Sequence, residues 1–155
     1  MNLYLLEPEV AGGLGENTTF LDDTYQNGVE KISHLHYDFY GWLGDELLES
    51  TPCFIVSEEL AFTIQTSPLK GYLLNEVEIT ISEFLKELYP DESLPNFKRL
   101  IPLGEVFVQE NSYRDWSQDD FCLSQNLSLV ISATAFTVLI NHQLNNCEVI
   151  ELNKF

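Results

Sequence analysis

The sequence predicts an α+β protein built on a mixed sheet, and three observations support this class. Short apolar segments recur along the chain between Gly, Pro, Asn and Asp residues, as in strands joined by turns. Two segments change from a strand pattern to a helical pattern directly after a serine, at Ser57 and Ser132. With 155 residues and 45% hydrophobic content, the chain has the size and apolar content of one globular domain. We therefore expect a single domain over residues 1–155.

The N-terminal part is expected to alternate strands with acidic loops before the first helix. An apolar run predicts a strand over residues 3–6, and a glycine-rich turn is expected at 12–15. Residues 32–40 alternate between apolar and polar side chains, which is typical of a half-buried strand. A loop is expected over 41–51 and a short strand at 54–56, after which Ser57 caps a helix that ends near residue 66.

The C-terminal part is expected to follow the same alternation. Gly71 predicts a turn before a strand over residues 72–81, and a short amphipathic helix at 82–89 is stopped by proline. A strand interrupted by proline and glycine is expected over 97–108. The remaining elements are a strand at 127–131, a helix from Ser132 to about residue 142, and an extended segment at 148–152.

Residues 42–76 and 116–151 have the same order of features, which indicates an internal repeat. Each copy has a tryptophan shortly before an aspartate, then a buried strand, a serine cap, a helix and a leucine. The matched positions are Trp42 with Trp116, Asp45 with Asp120 and Ser57 with Ser132. We therefore expect two related strand-helix units packed in one domain, with their tryptophan-bearing loops in equivalent places.

The charge balance indicates the class of partner. The chain has 25 acidic and 7 basic residues, a formal charge of −18, whereas a net charge of about 2 to 8 keeps a small domain soluble. The stretches 1–30, 32–69 and 115–151 contain no Lys or Arg. Such a field attracts basic proteins and repels nucleic acid and anionic lipid. We therefore expect a basic protein partner, with no direct binding of nucleic acid or membrane.

The two acidic loops that carry tryptophan are the candidate partner-binding sites. An aromatic side chain among carboxylates can fill a pocket on a partner while the carboxylates accept charge-assisted hydrogen bonds from Arg or Lys. The alternative is that each tryptophan packs over the core as part of the fold. The candidate contact residues are Trp42, Asp45, Glu46, Asp115, Asp119 and Asp120.

Two alternative functions remain open at this point. His34, His36 and Asp38 project from one face of a predicted strand, and two imidazoles with a carboxylate can hold a divalent metal for an enzyme. The same spacing also fits the polar face of an amphipathic strand. The other alternative is an acidic adaptor or a nucleic-acid mimic. Because no nucleophile, phosphate-binding or cofactor motif is complete, we expect no enzyme activity, no cofactor and no bound metal.

The sequence also favours a cytoplasmic protein with reduced cysteines. No apolar run reaches the roughly 18 residues that span a bilayer, and the first ten residues carry two glutamates where a signal peptide is apolar. Cys53, Cys122 and Cys147 are odd in number and lie in apolar segments, which indicates free thiols.

Three segments resemble a family of bacterial immunity proteins of polymorphic toxin systems, formerly a family of unknown function. They run from Leu3-Tyr4-Leu5-Leu6 to Gly15, from Gly41-Trp42-Leu43-Gly44-Asp45 to Cys53-Phe54-Ile55-Val56-Ser57, and from Leu129-Val130-Ile131-Ser132 to Cys147-Glu148. The chain departs from the family at residues 133–135, where alanine and threonine replace charged residues. The resemblance implies a cytoplasmic inhibitor that binds one cognate toxin. It agrees with the acidic charge, because nuclease toxins are basic in order to bind phosphate.

Overall fold

The computed structural model describes residues 2–21, 32–91 and 93–155, in which parallel and antiparallel strands are combined with α-helices. The strands are β1 (Leu3–Glu7), β2 (Gly12–Leu14), β3 (Thr19–Phe20), β4 (Ile32–His34), β5 (His36–Phe39), β6 (Leu47–Ser50), β7 (Cys53–Ser57), β8 (Tyr72–Asn75), β9 (Glu78–Ile81), β10 (Phe97–Pro102), β11 (Gly104–Gln109), β12 (Ser112–Arg114), β13 (Phe121–Ser124), β14 (Leu129–Ser132) and β15 (Glu148–Lys154). The helices are α1 (Glu58–Gln65), α2 (Glu83–Leu88) and α3 (Ala133–Leu139). The predicted α+β class is confirmed, but the strands form a closed barrel and three smaller sheets in place of the one mixed sheet that the sequence predicted.

Six strands close into a barrel in the order β1-β14-β13-β11-β12-β15. The N-terminal strand β1 lies between two strands from the C-terminal part, because Leu3 pairs with Ser132 on one side and Leu152 on the other. The pairs β11–β13 and β12–β15 are parallel. A buried apolar cluster that includes Val106, Val130 and Leu152 fills this barrel.

The other strands form a four-stranded sheet in the order β6-β7-β10-β8, a three-stranded sheet in the order β2-β5-β9 and a two-stranded sheet of β3 and β4. Here the strand from the C-terminal part, β10, lies between β7 and β8. Strands β5 and β9 are parallel. A second buried cluster, which includes Tyr37, Phe39 and Ile55, is packed between these sheets.

A third cluster joins the two sets of strands through α1 and α3. Each helix begins where a fully buried strand ends, because a serine hydroxyl accepts the first free helical N–H: Ser57 from Leu60 and Ser132 from Ala135. The apolar sides of the helices then continue the apolar sides of the strands. Leu60, Ile64 and Leu139 are completely buried there.

The structure differs from the sequence prediction where strands are short or polar. The turn expected at residues 12–15 is wrong, because β2 pairs with β5 and a Cβ on Gly12 would lie 2.1 Å from the Asp38 carbonyl oxygen. Within the loop expected at 41–51 lies β6, and the predicted 72–81 strand is divided into β8 and β9. Gly71 does form a turn, with φ of +87°. The acids Asp22, Asp23 and Glu30 lie outside the described residues.

Within the described ranges, no helix is both long and apolar enough to cross a membrane.

Candidate partner-binding surface

The carboxylate of Glu46 is the centre of a hydrogen-bond network that links the first acidic loop to the C-terminal part. It accepts from the Ser57 hydroxyl at 2.6 Å and the Gln143 backbone N–H at 2.9 Å, and His142 Nδ1 lies 3.1 Å away. Burial raises the pKa of Glu46, but these hydrogen bonds outweigh it and hold the pKa below its ordinary value. On its other side, His142 Nε2 lies 3.1 Å from the Thr63 hydroxyl of α1. Glu46 therefore stabilises the helix cap and the contact with α1.

The neighbouring Asp45 is completely buried, so its carboxylate offers no surface to a partner. It accepts from the Asn146 backbone N–H at 2.8 Å and from the Asn146 side chain at 3.1 Å. Its backbone carbonyl accepts from the Trp42 indole at 3.0 Å. The buried Glu9 accepts from the Leu43 and Asp45 amides, which fixes the loop from beneath.

The second acidic loop has an equivalent network around Asp120. This carboxylate accepts from the Ser132 hydroxyl at 2.6 Å and the Lys70 backbone N–H at 2.8 Å. The Trp116 indole donates to the Asp119 carbonyl at 2.9 Å, and the Ser117 hydroxyl donates to the Asp119 carboxylate at 2.8 Å. In each loop one carboxylate accepts from the serine that caps a helix and from a backbone N–H in the loop after the other helix: Glu46 from Ser57 and Gln143, and Asp120 from Ser132 and Lys70. The sequence alignment matched Asp45 with Asp120, so Glu46 corrects that match.

The candidate contact residues therefore divide into structural and accessible ones. Trp42 and Trp116 are half-buried and lie edge-on to Phe97 and Tyr113, so both tryptophans pack over the core. Asp115 is exposed, and its carboxylate lies 3.5 Å from Arg114. The other accessible candidate residues are half-buried, and their carboxylates take part in the hydrogen-bond networks described above: Glu46, Asp119 and Asp120. The two networks share no residue, so the six positions do not form one continuous hydrogen-bonded site.

A group of carboxylates that the sequence analysis did not identify lies at the end of β1. Glu7 pairs directly with Glu148 across β1 and β15. A shared hydrogen bond with Glu148 raises the pKa of Glu7, and burial together with the charge of Glu7 raises the pKa of Glu49. We call Glu7, Glu49 and Glu148 the acidic cluster. The proximity of Glu7 and Glu148 depends on pairing between the two ends of the chain, which no local pattern indicates.

The acidic cluster has no compensating cation among the residues that the structure describes. The ion pairs among the described residues lie elsewhere: they join Lys98 to Glu76, Lys86 to Glu83 and Arg114 to Asp115. Three histidine contacts involve Glu46 and Glu78. Burial and the charge of Asp45 raise the pKa of the adjacent Cys147 thiol to about 12. Like charges directly opposite each other on paired strands destabilise the pair. The acidic cluster is thus a place where an external positive charge lowers the energy of the protein.

The histidines are used in a hydrogen-bond chain. The Asn17 backbone N–H donates to His36 Nδ1 at 3.2 Å, so His36 Nε2 carries the proton. Nε2 lies 2.7 Å from the Thr80 hydroxyl, and this hydroxyl donates to the Asp38 carboxylate at 2.6 Å. His36 is only 5% exposed, so the interpretation that it lies on the solvent-facing side of an amphipathic strand is wrong. His34 lies 2.9 Å from Glu78. Within the described ranges, no three His, Cys, Asp or Glu residues are arranged to hold a metal.

The cysteines are free and poorly suited to nucleophilic chemistry. Burial raises the pKa of the Cys53 and Cys122 thiols, so both stay protonated at neutral pH. Comparison of the chain with protein-family models, curated proteins and solved structures gave no match.

Proposed function

We propose that this protein is an immunity-type inhibitor that binds and neutralises a basic cognate toxin. The acidic cluster carries the proposal, because Glu7, Glu49 and Glu148 repel one another and no ion pair among the described residues joins them to a cation. Lys or Arg side chains of a partner that approached this cluster would relieve the repulsion and form charge-assisted hydrogen bonds. The overall charge of −18 extends the attraction beyond the cluster itself.

Binding proceeds in two steps in this proposal. Long-range attraction first accelerates the encounter towards about 10⁸ M⁻¹s⁻¹ at low salt. Packed contacts then slow dissociation, and we assign these to Asp115 and to the accessible parts of Trp42, Trp116, Glu46, Asp119 and Asp120. The hydrogen bonds that hold both loops support this assignment, since a loop that is already ordered loses less conformational entropy on binding. Asp45 contributes to binding indirectly in this proposal, because its hydrogen bonds hold the first acidic loop in place.

We also propose that the two strand-helix units, 42–76 and 116–151, are copies of one ancestral unit. The matching hydrogen bonds support this: Ser57 donates to Glu46 and Ser132 donates to Asp120, both at 2.6 Å. The backbone N–H of Ser57 donates to the carbonyl of Glu46, and that of Ser132 donates to the carbonyl of Asp120. Glu46 rather than Asp45 is the counterpart of Asp120 in this correspondence, so the alignment shifts by one residue within the hairpin.

The exchange of strands between the halves extends the proposed duplication. Strand β1 lies between β14 and β15, and β10 takes the same place between β7 and β8. The parallel pairs β5–β9 and β12–β15 also correspond. Both features are explained if two copies of an ancestral half-chain first formed a domain-swapped dimer, in which each copy gave a strand to the other, and were later joined in one chain. It places the two tryptophan loops in equivalent positions on the two halves.

A growth assay tests the inhibitor function. The product of the gene adjacent to this one is expressed in bacteria with and without this chain. Growth arrest by the neighbour alone, relieved by co-expression, is the expected result. A neighbour that is not toxic, or whose toxicity this chain leaves unchanged, contradicts the proposal. Co-purified pairs then give the association rate, which should fall as ionic strength rises.

A further inference from the structure

A pocket of about 370 Å³ lies beside the tryptophan of the second acidic loop. Three aromatic side chains form part of its wall, those of Tyr113, Trp116 and Phe155. The Tyr113 ring is buried in the cluster that fills the barrel, and the Trp116 ring lies 6.3 Å from it at an angle of 84°. Sites for small molecules typically have volumes of about 300–1,000 Å³. The pocket is therefore large enough for one small ligand that contains an aromatic ring.

The polar side chains of the pocket carry more positive than negative charge. Arg114, Asp115, Gln118 and Lys154 line it, and all four are exposed. The Asp115 carboxylate lies 3.5 Å from the Arg114 guanidinium, so these two charges oppose each other. None of the ion pairs found among the described residues involves Lys154. Two cations against one carboxylate give the lining side chains a net charge of +1, in a protein whose formal charge is −18.

The first acidic loop follows a strand with the same backbone contacts as the strand before this pocket. The parallel ladder of β5 and β9 pairs Phe39 with Ile81, and that of β12 and β15 pairs Tyr113 with Lys154. Each ladder ends in a further hydrogen bond of the same kind, at 2.7 Å in the first half and 2.8 Å in the second. In each loop the indole N–H donates to the carbonyl three residues further on. The two loops can therefore be compared position by position.

This comparison separates the side chains of the pocket from the needs of the fold. The four polar side chains of the pocket correspond to uncharged residues in the first half: Arg114 to Tyr40, Asp115 to Gly41, Gln118 to Gly44 and Lys154 to Ile81. Both halves nevertheless form the same strand pairing and the same hydrogen bond from the indole. The charged lining is therefore not required to build this part of the fold.

Gln118 is the clearest case, because its backbone conformation is unfavourable for a residue with a side chain. Its φ is +74°, in the left-handed region that residues other than glycine rarely adopt. Its counterpart Gly44 has a φ of +108° without that penalty. Asp115 also has a left-handed φ of +56°, and its counterpart is Gly41. The pocket thus keeps two polar side chains where glycine would suit the backbone better, which is expected where the side chains bind a ligand.

We propose that this pocket binds a small planar aromatic molecule that carries an anionic group. The ring of the ligand stacks against Trp116 and Phe155. Its anionic group accepts charge-assisted hydrogen bonds from Arg114 and Lys154, and the Gln118 amide bonds to a polar atom at the edge of the ring. The site goes beyond the proposed inhibitor function and does not depend on it, although Trp116 is also assigned to the proposed contact with the toxin.

Two pairs of probes test the charge of the ligand while keeping its ring constant. Indole-3-acetate and tryptamine share an indole ring but have opposite charges, and adenosine 5′-monophosphate differs from adenosine by its phosphate. We expect at least one of the two anions to bind with a Kd below about 1 mM. Its matched analogue should bind at least about tenfold more weakly. Binding of one anion alone supports the site and identifies whether a carboxylate or a phosphate is preferred.

Nuclear magnetic resonance locates the bound probe, because the chain has two tryptophans. The indole N–H signal of Trp116 should shift on binding, while that of Trp42 serves as an internal control and should stay in place. Binding of neither anion, equal binding of the matched analogue, or an equal shift of both indole signals overturns the proposal.

Two variants test the side chains assigned to the site. Gln118→Gly introduces the residue that the first loop has, so it should leave the melting temperature unchanged or raise it, yet lower the affinity at least about threefold. Lys154→Gln should lower the affinity at least about fivefold. The matched control Lys86→Gln removes the same charge from α2 and should change the affinity less than about twofold. Unchanged affinity in both pocket variants overturns the assigned site. These measurements need no toxin, so their result is independent of the growth assay.

Discussion

Replacing Ser57 with alanine tests the role assigned to the Glu46 network. The serine hydroxyl accepts from the Leu60 N–H at 3.1 Å and donates to the Glu46 carboxylate at 2.6 Å. Loss of an N-cap costs about 1 kcal/mol. Loss of a hydrogen bond to a charged group costs about 1.5–3 kcal/mol. Because the Glu46 side chain is only 19% exposed, water replaces the lost hydroxyl poorly. We therefore expect Ser57→Ala to lower the free energy of unfolding by about 3 kcal/mol.

Ser82 provides the matched control. Its hydroxyl also caps a helix, accepting from the Leu85 N–H at 3.2 Å, and no hydrogen bond from it to a carboxylate is found among the described residues. Ser82→Ala should therefore cost only the cap, about 1 kcal/mol. Urea unfolding measures both variants, and a slope of about 1.5 kcal/mol/M converts the expected difference into a midpoint shift of roughly 1.3 M between them. Equal midpoints would show that the Glu46 bond contributes nothing to stability, which would refute the structural role of this network.

Four further substitutions, of which Gly13→Ala is a control, have defined outcomes. Glu148→Gln removes the repulsion with Glu7 and should raise the free energy of unfolding at pH 7 by roughly 0.5 kcal/mol in urea unfolding. Gly12→Ala should lower the melting temperature by more than about 8 °C because its Cβ meets a backbone oxygen at 2.1 Å, whereas Gly13→Ala, whose nearest contact is 3.6 Å, should change it by less than about 2 °C. His36→Ala should cost about 3 kcal/mol, and added zinc should leave the melting temperature of the unaltered protein unchanged.

The raised carboxyl pKa values also determine how stability depends on pH. The pKa values of Glu7 and Glu49 are higher in the folded protein than the ordinary value, so folding favours their protonated forms. The free energy of unfolding should therefore rise as the pH is lowered from neutral towards the ordinary glutamate value of about 4.3. Below that range the lowered pKa of Glu46 has the opposite effect, and stability falls. Glu148→Gln should flatten the first part of this profile, and an unchanged profile would contradict the assigned repulsion.

Local sequence patterns predicted the elements whose interacting residues lie close together along the chain. The serine caps at Ser57 and Ser132 were predicted because the cap residue and its partner N–H groups lie within one helical turn. The left-handed turn at Gly71 follows from the same kind of local rule. The alternating side chains of residues 32–40 likewise indicated a strand, which the structure divides into β4 and β5.

Long-range pairing accounts for most of what the sequence did not reveal. Within the acidic cluster, Glu7 and Glu148 face each other because β1 pairs with β15, although they lie at opposite ends of the chain. His36 has the position of a polar-face residue in β5, yet the segment around Gly15 and Asn17 covers it. Among the candidate contact residues, Asp45 is buried because a loop near residue 146 supplies its hydrogen bonds. None of these contacts has a local sequence pattern.

The most direct test of the account measures association between this protein and the basic toxin proposed as its partner, at a series of ionic strengths. The measurement compares the unaltered protein with the triple variant Glu7→Gln, Glu49→Gln and Glu148→Gln. If the acidic cluster attracts the partner, the association rate of the unaltered protein falls steeply with added salt, while the variant associates more slowly at low salt and depends less on salt. Identical rates and identical salt dependence for the two proteins would contradict it.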